Sequence, residues 1–208
     1  MKYVHIINYG SGNLFSLLKA FEYIGVKPKL INSAEDFVDV RKLVLPGVGA
    51  FGNAKKLLLK NNMISCIEDY VDQSDGMVLG ICLGFQLLCS SSDEAPGIKG
   101  LNFLPGHCSK NENEIGPTIS TNVGFRKVTF DPRHPLMADL ESGSYFYFTH
   151  SYSLKSSIAL EVNEMQSFDR SGNKFIAGVT FGNIMGVQFH PEKSQANGLK
   201  LLRNFMSL

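Results

Sequence analysis

Residues 76–88 read Gly-Met-Val-Leu-Gly-Ile-Cys-Leu-Gly-Phe-Gln-Leu-Leu. This segment constrains the fold more than any other. An apolar run predicts a buried strand over Gly76–Ile81, and Leu83–Leu88 opens a helix. Between them Cys82 stands in a turn framed by Gly80 and Gly84. A side chain at either glycine would hold strand and helix apart. A tight strand-to-helix turn of this kind is a nucleophile elbow, which lifts one side chain above the carboxyl edge of a sheet. At a helix N-terminus, unpaired amides and the helix dipole favour thiolate over thiol. The competing reading is a buried structural cysteine. Cys66 and Cys89 fit that reading, as residues on apolar helix faces; Cys82, with its glycine frame, fits it poorly.

The rest of the first half repeats the strand–helix alternation. Strands are predicted over Tyr3–Asn8, Lys29–Asn32 and Lys42–Leu45. Helices are predicted over Leu14–Tyr23, Lys55–Lys60 and Ile64–Val71, the first stopping at a C-cap near Gly25. This pattern implies a mostly parallel sheet with helices on both faces. In the second half, strand-like runs come close together: Arg126–Phe130, Ser144–Thr149, Ala159–Val162, Phe175–Thr180 and Ile184–Phe189. Such spacing predicts antiparallel strands added to the sheet. A helix over Ser194–Met206 ends the pattern. With 208 residues, 44% of them hydrophobic, and no linker in sight, residues 1–208 read as one α/β domain.

Charge narrows the function. Twenty basic and 19 acidic side chains leave a formal net charge of +1. That supports no nucleic-acid partner and no anionic membrane surface. Lys55, Lys56 and Lys60 read as a solvated helix face. The N-terminal apolar run is too short for a signal peptide, and no stretch reaches the length of a membrane span. The cysteines are Cys66, Cys82, Cys89 and Cys108. None forms a Cys-x-x-Cys pair, so no zinc site or redox dithiol is expected, and a reduced cytoplasmic location follows.

A cysteine nucleophile needs a base. Of the five histidines, His5 lies inside a strand and reads as core. His107 and His134 read as surface loop residues. His150 ends the strand in Thr149-His150-Ser151-Tyr152, and His190 ends another in Gln188-Phe189-His190-Pro191-Glu192. His190 is the best base, because active sites of α/β sheets lie beyond the carboxyl ends of strands. Pro191 biases His190 to an extended backbone. Continued extension would project Glu192 to the same side, where it can orient the imidazole as third member of a triad. A second glycine turn, Pro46-Gly47-Val48-Gly49-Ala50-Phe51, ends the third strand. Its amides, with that of Leu83, are candidates to stabilise an oxyanion. Gly10-Ser11-Gly12 lacks the third glycine of a dinucleotide turn, since Phe15 stands there, and NAD binding is rejected.

These motifs resemble those of class I, triad-type glutamine amidotransferases. The matching segments are Asn8–Leu14, Leu45–Phe51, Gly80–Leu88, Glu94–Gly97, His150–Tyr152 and Gln188–Ser194, nearly end to end. Within that family the Asn-Tyr-Gly-Ser-Gly-Asn and Pro-Gly-Val-Gly-Ala-Phe segments resemble the glutaminase subunits that serve imidazole glycerol phosphate synthesis in histidine biosynthesis. The resemblance implies nucleophile Cys82, base His190 and orienting Glu192. It implies L-glutamine contacts at Gly49, Gln86, Glu94, His150, Ser151 and Tyr152, and backbone oxyanion donors at Val48, Gly49 and Leu83. It further implies hydrolysis of L-glutamine to glutamate and ammonia through a thioester, with no metal or organic cofactor. The implied partner is a cyclase-type (β/α)₈ synthase subunit, in a heterodimer.

One segment departs from the family pattern. Where the family carries Pro-His-x-Gly-Trp-Asn, this chain has Thr121-Asn122-Val123-Gly124-Phe125-Arg126. In the family this stretch lies near the partner. Competing functions are a related glutaminase feeding another synthase, such as one that aminates a surface sugar, a stand-alone γ-glutamyl hydrolase, and a non-catalytic regulator.

Overall fold

The computed structural model describes residues 2–10, 14–72, 76–113, 116–119, 121–155 and 163–208. The first half runs β1 (Tyr3–Ile7), α1 (Phe15–Tyr23), β2 (Lys27–Ile31), β3 (Lys42–Leu45), α2 (Phe51–Lys60), α3 (Met63–Asp72), β4 (Met77–Ile81) and α4 (Leu83–Leu88). Then come β5 (Cys89–Ser92), β6 (Leu104–Lys110), β7 (Glu112–Asn113), β8 (Gly116–Ile119), β9 (Asn122–Lys127), β10 (Tyr145–His150) and β11 (Tyr152–Leu154). The chain continues through β12 (Asn163–Phe168), β13 (Lys174–Phe181), β14 (Ile184–Val187) and α5 (Gln195–Ser207).

The central sheet has the order β12-β13-β14-β4-β3-β1-β2. The five strands from β14 to β2 are parallel, and β12 and β13 extend one edge antiparallel. The expected α/β sheet with added antiparallel strands is therefore present. Residues alternate between its two faces, as the strand period requires. Leu43, Leu45, Val78 and Phe85 join the core under α2, α3 and α4. Val44, Leu79, Ile81, Phe21 and Phe205 join the core under α1 and α5. Each fully buried Leu or Phe contributes about 1.5–3 kcal/mol by leaving water.

Several boundaries differ from expectation. Helix α2 starts at Phe51, four residues before the predicted Lys55. No side chain next to its start caps it; Glu94, far along the chain, accepts from the Phe51 N–H at 3.0 Å. A cap supplied from a distance leaves no local signature. The strand expected over Arg126–Phe130 is instead β9, which pairs with β10 in a separate two-stranded sheet. Strands β5, β6 and β11 form another separate sheet, which the sequence did not suggest. The strand expected over Ala159–Val162 falls outside the described residues. Among those described, no helix is long and apolar enough to cross a membrane.

Two histidines were misplaced by the sequence reading. His134 is buried rather than on the surface, where its Nδ1 accepts from the Leu136 N–H at 3.2 Å. His107 is exposed as expected, but it belongs to β6 rather than a loop and bridges Ser91 and Asp93 at 2.8 and 2.7 Å. Cys89 is buried as expected, but it begins β5 instead of lying on a helix face.

Candidate active site

Strands β4 and β14 are parallel neighbours, and Ile81 pairs with Val187 at their carboxyl ends. One residue further on, the Cys82 N–H donates to the Val187 carbonyl at 2.8 Å. This register brings the Cys82 elbow beside Gln188, and His190 follows two residues later. The site is thus fixed by the pairing of two buried strands.

The elbow is as tight as its glycines imply. Cys82 has φ 52° and ψ −107°, a conformation that favours glycine and costs a residue with a side chain about 1–3 kcal/mol. A Cβ on Gly84 would collide with the Leu45 carbonyl oxygen. A Cβ on Gly80 would lie 2.8 Å from the Phe85 backbone. Gly47 is bound by the same crowding, with Leu83 Cβ and Tyr9 Oη each 2.8 Å from any added Cβ. The buried Tyr9 hydroxyl donates to the Pro46 carbonyl at 3.0 Å and supports this second turn from below.

His190 is held through its backbone. Its N–H donates to the Tyr147 carbonyl at 2.9 Å, and its carbonyl accepts from Ser194 Oγ at 2.6 Å. Ser194 Oγ in turn accepts from the Tyr147 N–H at 2.9 Å. His190 is extended (φ −99°, ψ 99°), as Pro191 requires. The extension ends there, because Pro191–Lys193 forms a 3₁₀ turn. The turn nevertheless delivers the carboxylate, and His190 Nδ1 meets Glu192 Oε1 at 2.7 Å. Nε2 is buried without a hydrogen-bond partner among the described residues, which leaves it for Cys82. Burial pulls the imidazolium pKa down. The Cys82 sulfur and the Glu192 carboxylate outweigh burial and push it up to about 10. The arrangement can therefore hold a proton on the base beside the sulfur.

A cavity of about 480 Å³ opens over Cys82 and His190. Val48, Gly49 and Leu83 line it, and Gly49 has φ 105°. Leu83 is the first residue of α4, so its N–H has no partner inside the helix. Gln86, Glu94, His150, Ser151 and Tyr152 also line the cavity. All the sequence-predicted residues therefore meet there, except that Glu192 lies behind His190. Thr121 and Thr149 line the cavity too, and the sequence reading did not single them out for the site. Gln86 is already engaged: its Nε2 donates to the Tyr152 carbonyl at 2.8 Å and to Gln188 Oε1 at 3.1 Å. Only its carbonyl oxygen is left to offer a ligand.

The departing segment splits in two. Asn122 is buried, and its Nδ2 contacts His150 Nε2 at 3.1 Å. Val123 and Phe125 alternate outward from β9 and are each about 40% exposed. Phe125 packs edge-on against Tyr147 at 5.6 Å. The Arg126 guanidinium folds back onto the Phe125 and Val123 carbonyls at 2.9 and 3.0 Å, while its Nε–H is buried without a hydrogen-bond partner among the described residues.

An elbow cysteine, a carboxylate-paired histidine on the adjoining strand end and an open cavity above them have the geometry that cysteine-dependent acyl transfer requires. Residues 5–208 match the family model for class I glutamine amidotransferases, and the chain belongs to that family. It is 40% identical to the imidazole glycerol phosphate synthase subunit HisH of Chlorobium chlorochromatii, over 99% of this chain and 100% of that protein. The HisH subunit of Methanosarcina acetivorans is 37% identical over the full length of both chains. The fold also matches a crystal structure titled glutamine amidotransferase (TM-score 0.75, 16% identity, covering 98% of this chain and 97% of that one). PurLQS from Thermotoga maritima matches equally well (TM-score 0.75, 18% identity, covering 99% and 98%).

Proposed function

We propose that this chain is the glutaminase subunit of an imidazole glycerol phosphate synthase, and that Cys82, His190 and Glu192 are its catalytic triad. The observation that carries this reading is the 2.7 Å His190–Glu192 contact on the strand end next to the Cys82 elbow. Cys82 gives its proton to His190 Nε2, and the sulfur attacks the side-chain amide carbon of L-glutamine. The carbonyl electrons move onto oxygen, toward the Leu83 amide and the amides of the Val48–Gly49 turn. As the intermediate collapses, His190 returns the proton to the leaving nitrogen and ammonia departs. Water, deprotonated by His190, then cleaves the thioester to glutamate.

The partner is a (β/α)₈ cyclase subunit, docked where β9 and β10 present Val123, Phe125 and Tyr145. Exposed aromatics on a ribbon whose far end lines the cavity through Thr149 and His150 suit an interface anchor. Because Asn122 turns inward, partner choice rests on Thr121, Phe125 and Arg126. The test mixes the chain with the cyclase of the same cell and that cyclase's substrate, and measures glutamate release and complex formation. Stimulated glutamate release within a one-to-one complex is expected. Glutaminase activity with no complex and no stimulation would remove the histidine assignment and leave an ammonia supplier to a different synthase. A gain of binding in the variant Thr121→Pro, Phe125→Trp, Arg126→Asn would then assign partner choice to this segment.

A further inference from the structure

We infer that Gln188 is a further catalytic residue, whose buried amide N–H holds the Cys82 sulfur and stabilises it as thiolate and as leaving group. The inference deepens the glutaminase reading and rests on it. Gln188 has no exposed surface and sits in the apolar run Ile184-Met185-Gly186-Val187-Gln188-Phe189. A polar side chain sealed in such a place needs partners to offset its lost hydration. Its Nε2 donates to Cys82 Sγ at 3.6 Å, within hydrogen-bonding range for sulfur.

The orientation of this amide is fixed by its neighbours. Gln86 Nε2 carries two hydrogens, and they go to Gln188 Oε1 and the Tyr152 carbonyl. Turning Gln188 over would face its NH₂ against the NH₂ of Gln86 and its oxygen against the sulfur. Turning Gln86 as well would face its oxygen against the Tyr152 carbonyl, which belongs to the backbone and has no alternative orientation. His150 Nδ1, at 3.0 Å from the same carbonyl, adds a second donor there. Gln86, anchored by its donation to the Tyr152 carbonyl, therefore donates its other hydrogen to Gln188, and Gln188 donates on to Cys82.

The effect is larger for the thiolate than for the thiol. As a thiol, Cys82 donates to the Thr149 carbonyl at 3.9 Å. That bond is lost when the proton moves to His190, and the carbonyl dipole then faces a negative sulfur. The Gln188 bond persists and becomes charge-assisted, which roughly doubles its strength. The same difference operates again at thioester hydrolysis. There the C–S bond breaks, and sulfur leaves with the electron pair toward the Gln188 N–H.

The test compares the parent with Gln188→Met, which keeps shape but removes the donor, and Gln188→Glu, which replaces it with a carboxylate. Alkylation of Cys82 by iodoacetamide is followed across a pH series by peptide mapping, alongside thermal melting and steady-state glutamate release. At neutral pH, Cys82 alkylation should slow about tenfold in Gln188→Met, and more in Gln188→Glu. Both variants should approach the parental rate at strongly alkaline pH, and kcat should fall while KM holds. Should Gln188→Met fail to fold, Gln188→Asn withdraws the donor while keeping an amide, and the same slowing is expected. A folded variant that alkylates at the parental rate throughout would overturn the inference. A parent that alkylates rapidly yet releases no glutamate even with the cyclase and its substrate present would overturn the glutaminase reading and leave the role of Gln188 at the sulfur standing.

Discussion

His190 ends the cavity wall built on β14, and His150 ends the wall built on β10. Their rings are almost equally buried, at 2% and 6% exposure. Their protonation is opposite. Burial lowers the pKa of His150 to about 3, while Cys82 and Glu192 outweigh burial and push His190 up to about 10. The difference lies in what meets the ring nitrogens. His190 faces a carboxylate and a thiol. His150 faces the neutral Tyr152 carbonyl and the Asn122 amide, with Phe148 and Phe175 against its ring. A buried site does not by itself decide whether a histidine is charged; the charge of its partners decides. One wall can move protons, and the other can only position dipoles.

The largest effect should come from the charged wall. Cys82→Ala should abolish glutamate release, a loss of at least about 10⁴-fold, with the fold retained by circular dichroism. Glutamine hydrolysis at the parental rate in that variant would remove Cys82 as nucleophile.

Glu192→Gln should cost less than His190→Ala, about 10³-fold in kcat. It also sharpens the comparison through pH. A histidine whose folded pKa is raised contributes stability that is complete below 6.5 and lost as pH rises through about 10. Without the carboxylate, His190 should lose its proton at lower pH, and the alkaline fall in stability, which starts near 6.5 in both proteins, should end earlier and be smaller. Imidazole NMR titration of parent and variant reads this directly. An unchanged His190 titration would mean that Cys82 alone holds the proton.

Asn122→Asp should break the contrast from the neutral side. It places an acceptor carboxylate where Asn122 now offers an N–H to His150 Nε2. His150 should then titrate well above its present value of about 3. A His150 still neutral at pH 5 in the folded variant would show that burial alone governs it.

The smallest effect concerns acid stability. Burial lowers the pKa of His134 to about 4. Such a depressed group gives stability that is present above 6.5 and lost as pH falls through about 4. His134→Asn keeps an N-cap acceptor for the Leu136 N–H but does not titrate. Its acid-side loss between pH 7 and pH 4 should be shallower, by up to roughly 3 kcal/mol, read from urea melts. An identical slope would assign the acid response elsewhere.

How legible the molecule is in its sequence follows the same division. The parallel wall is readable because its signals are local: β3 falls on Lys42–Leu45 as predicted, and the elbow is spelled out by Gly80 and Gly84. Long-range pairing decides the neutral wall. Asn122 was read as part of a partner-facing segment and turns inward to His150. β5 is Cys-Ser-Ser-Ser, which has no apolar alternation, and it forms because β6 lies beside it. The role of Gln188 had one available signal, a lone amide in an apolar run. That signal is weak, because residues in such a run are ordinarily strand core.

The backbone at Cys82 carries a last consequence. At φ 52° a glycine would relieve strain that the cysteine must bear. Cys82→Gly should therefore melt at a higher temperature than the parent while being inactive. At this one position selection for persistence and selection for turnover point in opposite directions.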